Sequence, residues 1–298
     1  MAKITLLDGG LGQELIRRSG EAPTPLWATQ VMIDRPGLVQ QVHEDFFRAG
    51  ASVAMANTYA ILPDRLERAG LSDRIEEFRA AALAEAEWAR DAHGKGRIAG
   101  CIGPLGASYR TDVFPGMETA VATYSEIVRR MAPEVDVIVF ETQATLENLE
   151  AALRAGRESS RPVWVAITVD DADGSKLRSG EPVSEAVALA EKGGCQAILA
   201  NCSAPEAMGP ALDILARSEL PFGAYANAFS GLTKEFLTPD PTVDALSTRR
   251  DMGPERYAGF ALDWVRRGAT IVGGCCETGP DHIRAIAEAL RNDGHEIV

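Results

Sequence analysis

Three cysteines stand where they could act together. Cys275 and Cys276 are adjacent in Val272-Gly273-Gly274-Cys275-Cys276, and Cys202 follows Asn201 upstream. Each site comes directly after a short apolar, strand-like run, residues 197–200 and 270–272. Three thiolates brought together suit a soft cation such as Zn2+, at about 2.3 Å per bond, with a fourth position left open as in catalytic sites. The cation ionises a thiol that enters that position. Three thiolate donors limit its Lewis acidity, so the chemistry favoured is alkylation of a substrate sulfur rather than hydrolysis. Successive strand residues point to opposite faces, so adjacent cysteines can share an ion only past a strand end. Gly273-Gly274, able to adopt conformations closed to other residues, is the expected means. A strained vicinal disulfide across Cys275-Cys276 is the alternative, and Cys101 and Cys195 read as small buried hydrophobes.

The elements that must bring these sites together alternate along the chain. Strand-like runs fall at 4–7, 52–56, 97–102, 135–140, 163–169, 196–200, 222–226 and 270–272. Helix-like segments fall at 38–49, 72–92, 119–131, 146–155, 184–192, 205–218, 254–267 and 280–291. In 72–92, Ile75, Phe78, Ala82 and Leu83 recur at helical spacing among charges. Gly50, Gly70, Gly156, Gly193 and Gly268 are the expected left-handed caps, and Pro205, Pro254 and Pro280 sit where a first-turn proline is tolerated. Eight βα units with continuously apolar strands predict an α/β fold, a single (β/α)8 TIM barrel spanning 1–298. An open doubly wound sheet is the runner-up, although Gly9-Gly10-Leu11-Gly12 lacks the dinucleotide-binding spacing. In a barrel the active site forms where strands run into βα loops. Asp8-Gly9-Gly10, Asn57-Thr58-Tyr59, Gly103-Pro104, Glu141-Thr142, Asn201-Cys202, Asn227 and Cys275-Cys276 then share one rim.

Composition narrows the class. The chain has 298 residues, is 46% hydrophobic and 24% charged, and carries a net charge of −13. Phosphate binding needs a basic face, so neither nucleic acid nor an anionic membrane is an expected partner. No run is long enough for a secretory signal core or a membrane span. Five cysteines, an odd number in a chain this long, fit working thiols in a reducing cytoplasm better than a disulfide framework. His43, His93, His282 and His295 have no metal-ligand spacing with one another and read as packed or solvated.

These residues make the chain resemble the homocysteine S-methyltransferases. That zinc-thiolate barrel family includes betaine–homocysteine methyltransferase and the homocysteine module of cobalamin-dependent methionine synthase. The resemblance runs from Leu7-Asp8-Gly9-Gly10 through Pro25-Leu26-Trp27, Ala49-Gly50-Ala51, Glu141-Thr142 and Asn201-Cys202 to Gly273-Gly274-Cys275-Cys276. It implies that Cys202, Cys275 and Cys276 bind Zn2+ and that the homocysteine sulfur takes the fourth place. That thiolate is the nucleophile, with no separate general base. Asp8 and Glu141 are implied to face the substrate ammonium, with Asp8 as a turn cap and Glu141 as an ion-pair partner for the alternatives. The N–H groups around Gly9-Gly10 and Asn57-Thr58 are implied to take its carboxylate, and Asn201, Asn227 and Tyr59 are secondary site residues.

The implied activity is methyl transfer from a small onium donor to homocysteine, giving methionine. S-methylmethionine is the first choice of donor and betaine the second. A methylcorrinoid on a separate protein is an alternative source, and a non-catalytic thiolate metal store or methylation of another thiol or selenol are the rivals. Trp27, Tyr59, Tyr109 and Phe229 are the candidates for an aromatic onium site. Tyr225-Ala226-Asn227 departs from the Tyr-Pro-Asn of many relatives, which leaves the loop shape open. The long 229–253 segment reads equally as a lid or donor-binding loop and as a surface excursion. The oligomeric state is left open.

Overall fold

The computed structural model describes residues 1–233, 237, 242 and 246–298. Its strands are β1 (Lys3–Leu6), β2 (Val53–Met55), β3 (Arg97–Ile102), β4 (Val137–Gln143), β5 (Val163–Ile167), β6 (Ala197–Asn201), β7 (Phe222–Ala226), β8 (Ile271–Gly274) and β9 (Glu296–Ile297). They form one parallel sheet in the order β2-β3-β4-β5-β6-β7-β8-β1-β9. The sheet is curled. β1 and β2 also meet, through a parallel Leu7–Val53 bridge and the bonds Asp8 N–H to Val53 O (3.2 Å) and Ser52 N–H to Leu6 O (2.7 Å).

Side-chain alternation along the strands gives two cores. Even where a strand is apolar on both faces, neighbouring residues point to opposite sides. Val53, Met55, Ala99, Cys101, Val137, Val139, Trp164, Ala166, Ala197, Leu199, Tyr225 and Ile271 pack together on one face of the sheet. Their strand neighbours Ile98, Ile138, Val165, Ile198, Ala224 and Val272 pack outward against the helices. The first group runs upward into Glu141 on β4 and Asn201 on β6, two residues beyond Val139 and Leu199. The rim chemistry is therefore in phase with the inner core.

The eight expected helices are present as α3 (Leu38–Ala49), α5 (Ile75–His93), α6 (Met117–Met131), α7 (Leu146–Gly156), α8 (Val183–Gly193), α9 (Pro205–Leu215), α10 (Pro254–Arg266) and α11 (Pro280–Asn292). Thr145 caps α7 by accepting the Asn148 N–H at 3.0 Å. Two expected caps are wrong. Gly156 and Gly193 lie inside α7 and α8, and Gly194, at φ 78°, makes the left-handed turn. Gly193 is required by packing instead, since a Cβ there would come 2.6 Å from Leu153.

Among the described residues, three short α-helices and one strand have no counterpart among the expected elements. α1 (Leu11–Ser19), α2 (Ala28–Asp34) and α4 (Pro63–Arg68) are short helices inside the first two connections, and β9 adds a ninth strand. β9 runs parallel to β1 through Glu296 N–H to Ala2 O (3.0 Å) and Val298 N–H to Ile4 O (2.9 Å). It covers the half of the β1 edge that β2 does not reach, a common way of protecting unpaired strand groups. Residues 234–236, 238–241 and 243–245, the middle of the 229–253 connection, lie outside the described residues, and so does most of the lid expectation. At its described ends Phe229 bridges Thr248, and the Arg249 guanidinium grips Glu206 on α9 at 2.8 Å. Among the described residues no helix is long and apolar enough to cross a membrane.

Candidate metal and substrate site

The three cysteines converge. Cys202 leaves β6 with its N–H on Tyr225 O at 3.0 Å, and Cys275 leaves β8 with its N–H on Ala226 O at 2.9 Å. Both thus hang from the end of β7, which lies between their strands. Cys202 and Cys275 are joined as a disulfide, with Cα atoms 5.7 Å apart. The Cys276 sulfur is 3.6 Å from that of Cys202 and 4.0 Å from that of Cys275. All three sulfurs lie within 4.8 Å of one another, a group able to hold a metal ion. Tetrahedral bonds of about 2.3 Å set sulfurs about 3.8 Å apart. Two separations already match, and reduction of the disulfide frees the third. Burial pushes the Cys276 thiol up to about 11, so a cation is needed to keep it ionised at neutral pH.

Gly273 and Gly274 do not work as expected. Both are β8 strand residues, and neither is among the glycines of positive φ. Space is what they supply: a Cβ on Gly273 would lie 2.6 Å from Leu7 Cβ, and one on Gly274 would collide with the Thr278 side chain. The turn that follows the pair is made by Glu277 at φ 63°. Trp27, Tyr109, Thr142 and Cys202 are the other non-glycine residues of positive φ among those described, and all four line one cleft. Backbone strain of this kind persists only where the surroundings enforce it, and it gathers at functional sites.

The cleft opens to solvent and is lined by the three cysteines together with Asp8 and Glu141. Asp8 is 1% exposed. Its Oδ2 accepts the Met55 N–H at 2.9 Å and lies 3.6 Å from His43 Nδ1, while Oδ1 has no partner among the described residues. Burial raises this carboxyl above its ordinary value, and the His43 contact opposes the rise. Burial also pushes Glu141 up to about 7, against the Tyr225 hydroxyl that donates to Oε1 at 2.9 Å. Neither carboxylate has an arginine or lysine partner among the described residues, which disfavours the ion-pair alternative for Glu141.

The remaining expected residues divide into lining and support. Gly9, Gly10, Asn57 and Tyr59 line the cleft. The Gly10 N–H is already spent on Thr278 O at 2.7 Å and the Thr58 N–H on Ala56 O at 2.6 Å, so neither is free for a carboxylate. Thr58 is support: its hydroxyl pairs with the Cys101 backbone at 2.8 and 2.9 Å. Asn201 is support too, clamping Thr142 through N–H (3.1 Å) and hydroxyl (3.2 Å) and so fixing the turn after Glu141. Asn227 is 1% exposed with neither amide atom partnered among the described residues. Trp27 and Tyr59 stack at 6.3 Å on the cleft wall, and Phe229 packs with Tyr109 and Cys202.

Sequence reasoning misses the contacts of His43 and Tyr109. His43, packed or solvated by its sequence alone, is wholly buried, and only the fold brings it to Asp8. Tyr109, expected only as an aromatic wall, donates its hydroxyl to Cys202 Sγ at 2.9 Å.

Fold and site together define a curled parallel α/β sheet with a three-cysteine cluster able to hold a metal ion and two carboxylates on one rim. The chain belongs to the homocysteine S-methyltransferase family, whose model matches residues 5–290, and is an enzyme of that class. It is 29% identical to homocysteine S-methyltransferase 4 of Zea mays, over 98% of this chain and 91% of that one. It is 28% identical to a selenocysteine methyltransferase of Astragalus bisulcatus, over 97% and 93%. The metallated form of the homocysteine methyltransferase MmuM from Escherichia coli superposes with a TM-score of 0.79 at 27% identity, over 96% of both chains.

Proposed function

We propose that the chain is a zinc-dependent S-methyltransferase that makes methionine from homocysteine and a small onium donor. One observation carries the reading: three sulfurs within 4.8 Å of one another share a cleft with two carboxylates that have no Lys or Arg partner among the described residues. A zinc ion held by Cys202, Cys275 and Cys276 would supply the charge that ionises a substrate thiol at neutral pH. Asp8 and Glu141 take the substrate ammonium, and the N–H groups of Gly9 and Asn57, two residues that line the cleft, take its carboxylate. A substrate fixed at both ends presents its sulfur in one direction, and that orientation is a large share of the acceleration. A sulfur lone pair then forms the S–CH3 bond as the carbon–onium bond breaks, and the donor leaves neutral. No side chain has to remove a proton during attack.

The Trp27–Tyr59 stack and Tyr109 support an onium donor, since aromatic faces attract cations. S-methylmethionine is the preferred donor and betaine the second. A non-catalytic thiol store has no use for Asp8 and Glu141. We read the curled sheet as a closed eight-stranded barrel in one domain, supported by the Leu7–Val53 bridge and by the separate inner core.

The test uses reduced, purified protein. About one zinc per chain is expected, with methionine formed from homocysteine and S-methylmethionine or betaine. Cys275→Ala should lose both zinc and activity. A fully active Cys275→Ala variant would falsify the proposal. Methionine formed only when a methylcorrinoid protein is supplied would replace the onium donor by the alternative.

A further inference from the structure

Any site that assembles several thiolates beside an alkyl donor has a selectivity problem. Three sulfurs of the protein and one of the substrate are all nucleophiles, and only the last is to receive the methyl group. The three cysteines do not have the same surroundings. Cys202, here in its disulfide form, is 3% exposed and accepts the Tyr109 hydroxyl at 2.9 Å, and the same hydroxyl is within hydrogen-bond reach of Cys276. Tyr109 is itself 6% exposed and held at φ 64°, a backbone conformation that costs free energy in a tyrosine. The Arg178 guanidinium lies 5.2 Å from its ring centroid, donates to the Cys202 carbonyl at 3.4 Å, and is anchored by Asp171 at 3.1 Å. Residues from three separate connections therefore converge on one O–H···S contact.

We propose that Tyr109 is a positioning residue that protects Cys202 from alkylation, leaving the substrate sulfur as the one that takes the methyl group. The inference rests on the metal-thiolate reading above. An ionised sulfur that accepts a hydrogen bond from a buried hydroxyl has one lone pair engaged and its charge partly neutralised. Alkylation of Cys202 would form a Cys202 S–C bond as the carbon–leaving-group bond breaks, and would also have to break the O–H···S contact. A hydrogen bond to an ionised partner is worth about one to two powers of ten in an equilibrium. Thiolate nucleophilicity follows basicity with a slope of about one half, so the protection should be roughly three- to tenfold.

The experiment compares reduced, zinc-loaded wild type with Tyr109→Phe, which removes only the hydroxyl. Both are treated with iodoacetamide, which each thiolate attacks at carbon with loss of iodide. Modification at Cys202, Cys275 and Cys276 is followed by peptide mass spectrometry, with zinc content and melting temperature measured on the same samples. The expected result is a three- to tenfold rise in the Cys202 rate relative to Cys275. A ratio that moves by less than about twofold in the zinc-loaded variant overturns the proposal. So does a uniform rise at all three with loss of zinc, which would make the hydroxyl a structural support of the metal site. Wild type that binds no zinc overturns the metal reading, and this proposal with it.

Discussion

A carboxylate buried without an arginine or lysine partner is costly, and the protein tolerates two of them in one cleft. Burial pushes Glu141 up to about 7, against the Tyr225 hydroxyl and the Cys101 thiol beside it, and the charge of Asp8 adds to the rise. Below that pH the free site holds a neutral carboxyl and above it an anion, and only the anion attracts an ammonium. The value of kcat/KM for homocysteine should therefore fall on acidification through about pH 7, which reports the free enzyme. A bound ammonium favours the anion, so the corresponding fall in kcat should lie at lower pH. In Glu141→Gln the acid limb should vanish, and KM should rise about 10- to 100-fold for one lost charged contact, with zinc content unchanged. An acid limb that persists in Glu141→Gln would assign the titration to another group. Glu141 could be singled out in the sequence because a carboxylate at a barrel strand end is rarely idle. His43 could not, because its contact with Asp8 joins residues that only the fold brings together.

At the scale of elements, the β8 end shows what a motif conceals. Gly-Gly before Cys-Cys suggests conformational freedom, yet both glycines are ordinary strand residues that admit close neighbours. A Cβ on Gly274 would meet Thr278 and come 3.3 Å from Gly9 Cα, so Gly274→Ala must move the Cys275 loop. Overpacking of this kind costs about 1–3 kcal/mol. The expected outcome is a melting temperature lower by several degrees and weaker zinc binding by chelator competition. Gly259, on the solvent side of α10, has open space where a Cβ would stand, and Gly259→Ala should stabilise by about 0.5–1 kcal/mol without touching zinc affinity. If the two variants bind zinc equally well, close packing at Gly274 is not what aims the cysteine pair. Long amphipathic helices such as α3 and strands such as β3 and β7 were legible to the residue. The short helices α1, α2 and α4 were not, because six to nine residues give too little periodicity to stand out from a loop.

At the scale of the whole molecule, the alternation of strands and helices carried the architecture. It said little about the seam where the first and second strands meet. Neither β9 nor the Leu7–Val53 bridge has a sequence signal, since each is a pairing of a few residues set by where the strands end. The seam matters for the site: Asp8 stands on it, with its N–H bonded to Val53 O and its carboxylate to the Met55 N–H. In a closed barrel the Asp8, Ser52 and Met55 amides are interior bonds of a continuous ring and can exchange with solvent only when the ring opens. In an open sheet they belong to an edge that frays locally at little cost. Native-state hydrogen exchange distinguishes the two. Closure makes these three amides exchange with opening free energies within about 1–2 kcal/mol of those of Ile138 and Ile198, which lie in the middle of the sheet. Exchange several kcal/mol easier at all three, with the central strands protected, would mean that the sheet is open beside Asp8. The proposed ammonium site would then have to be organised by the substrate rather than preformed.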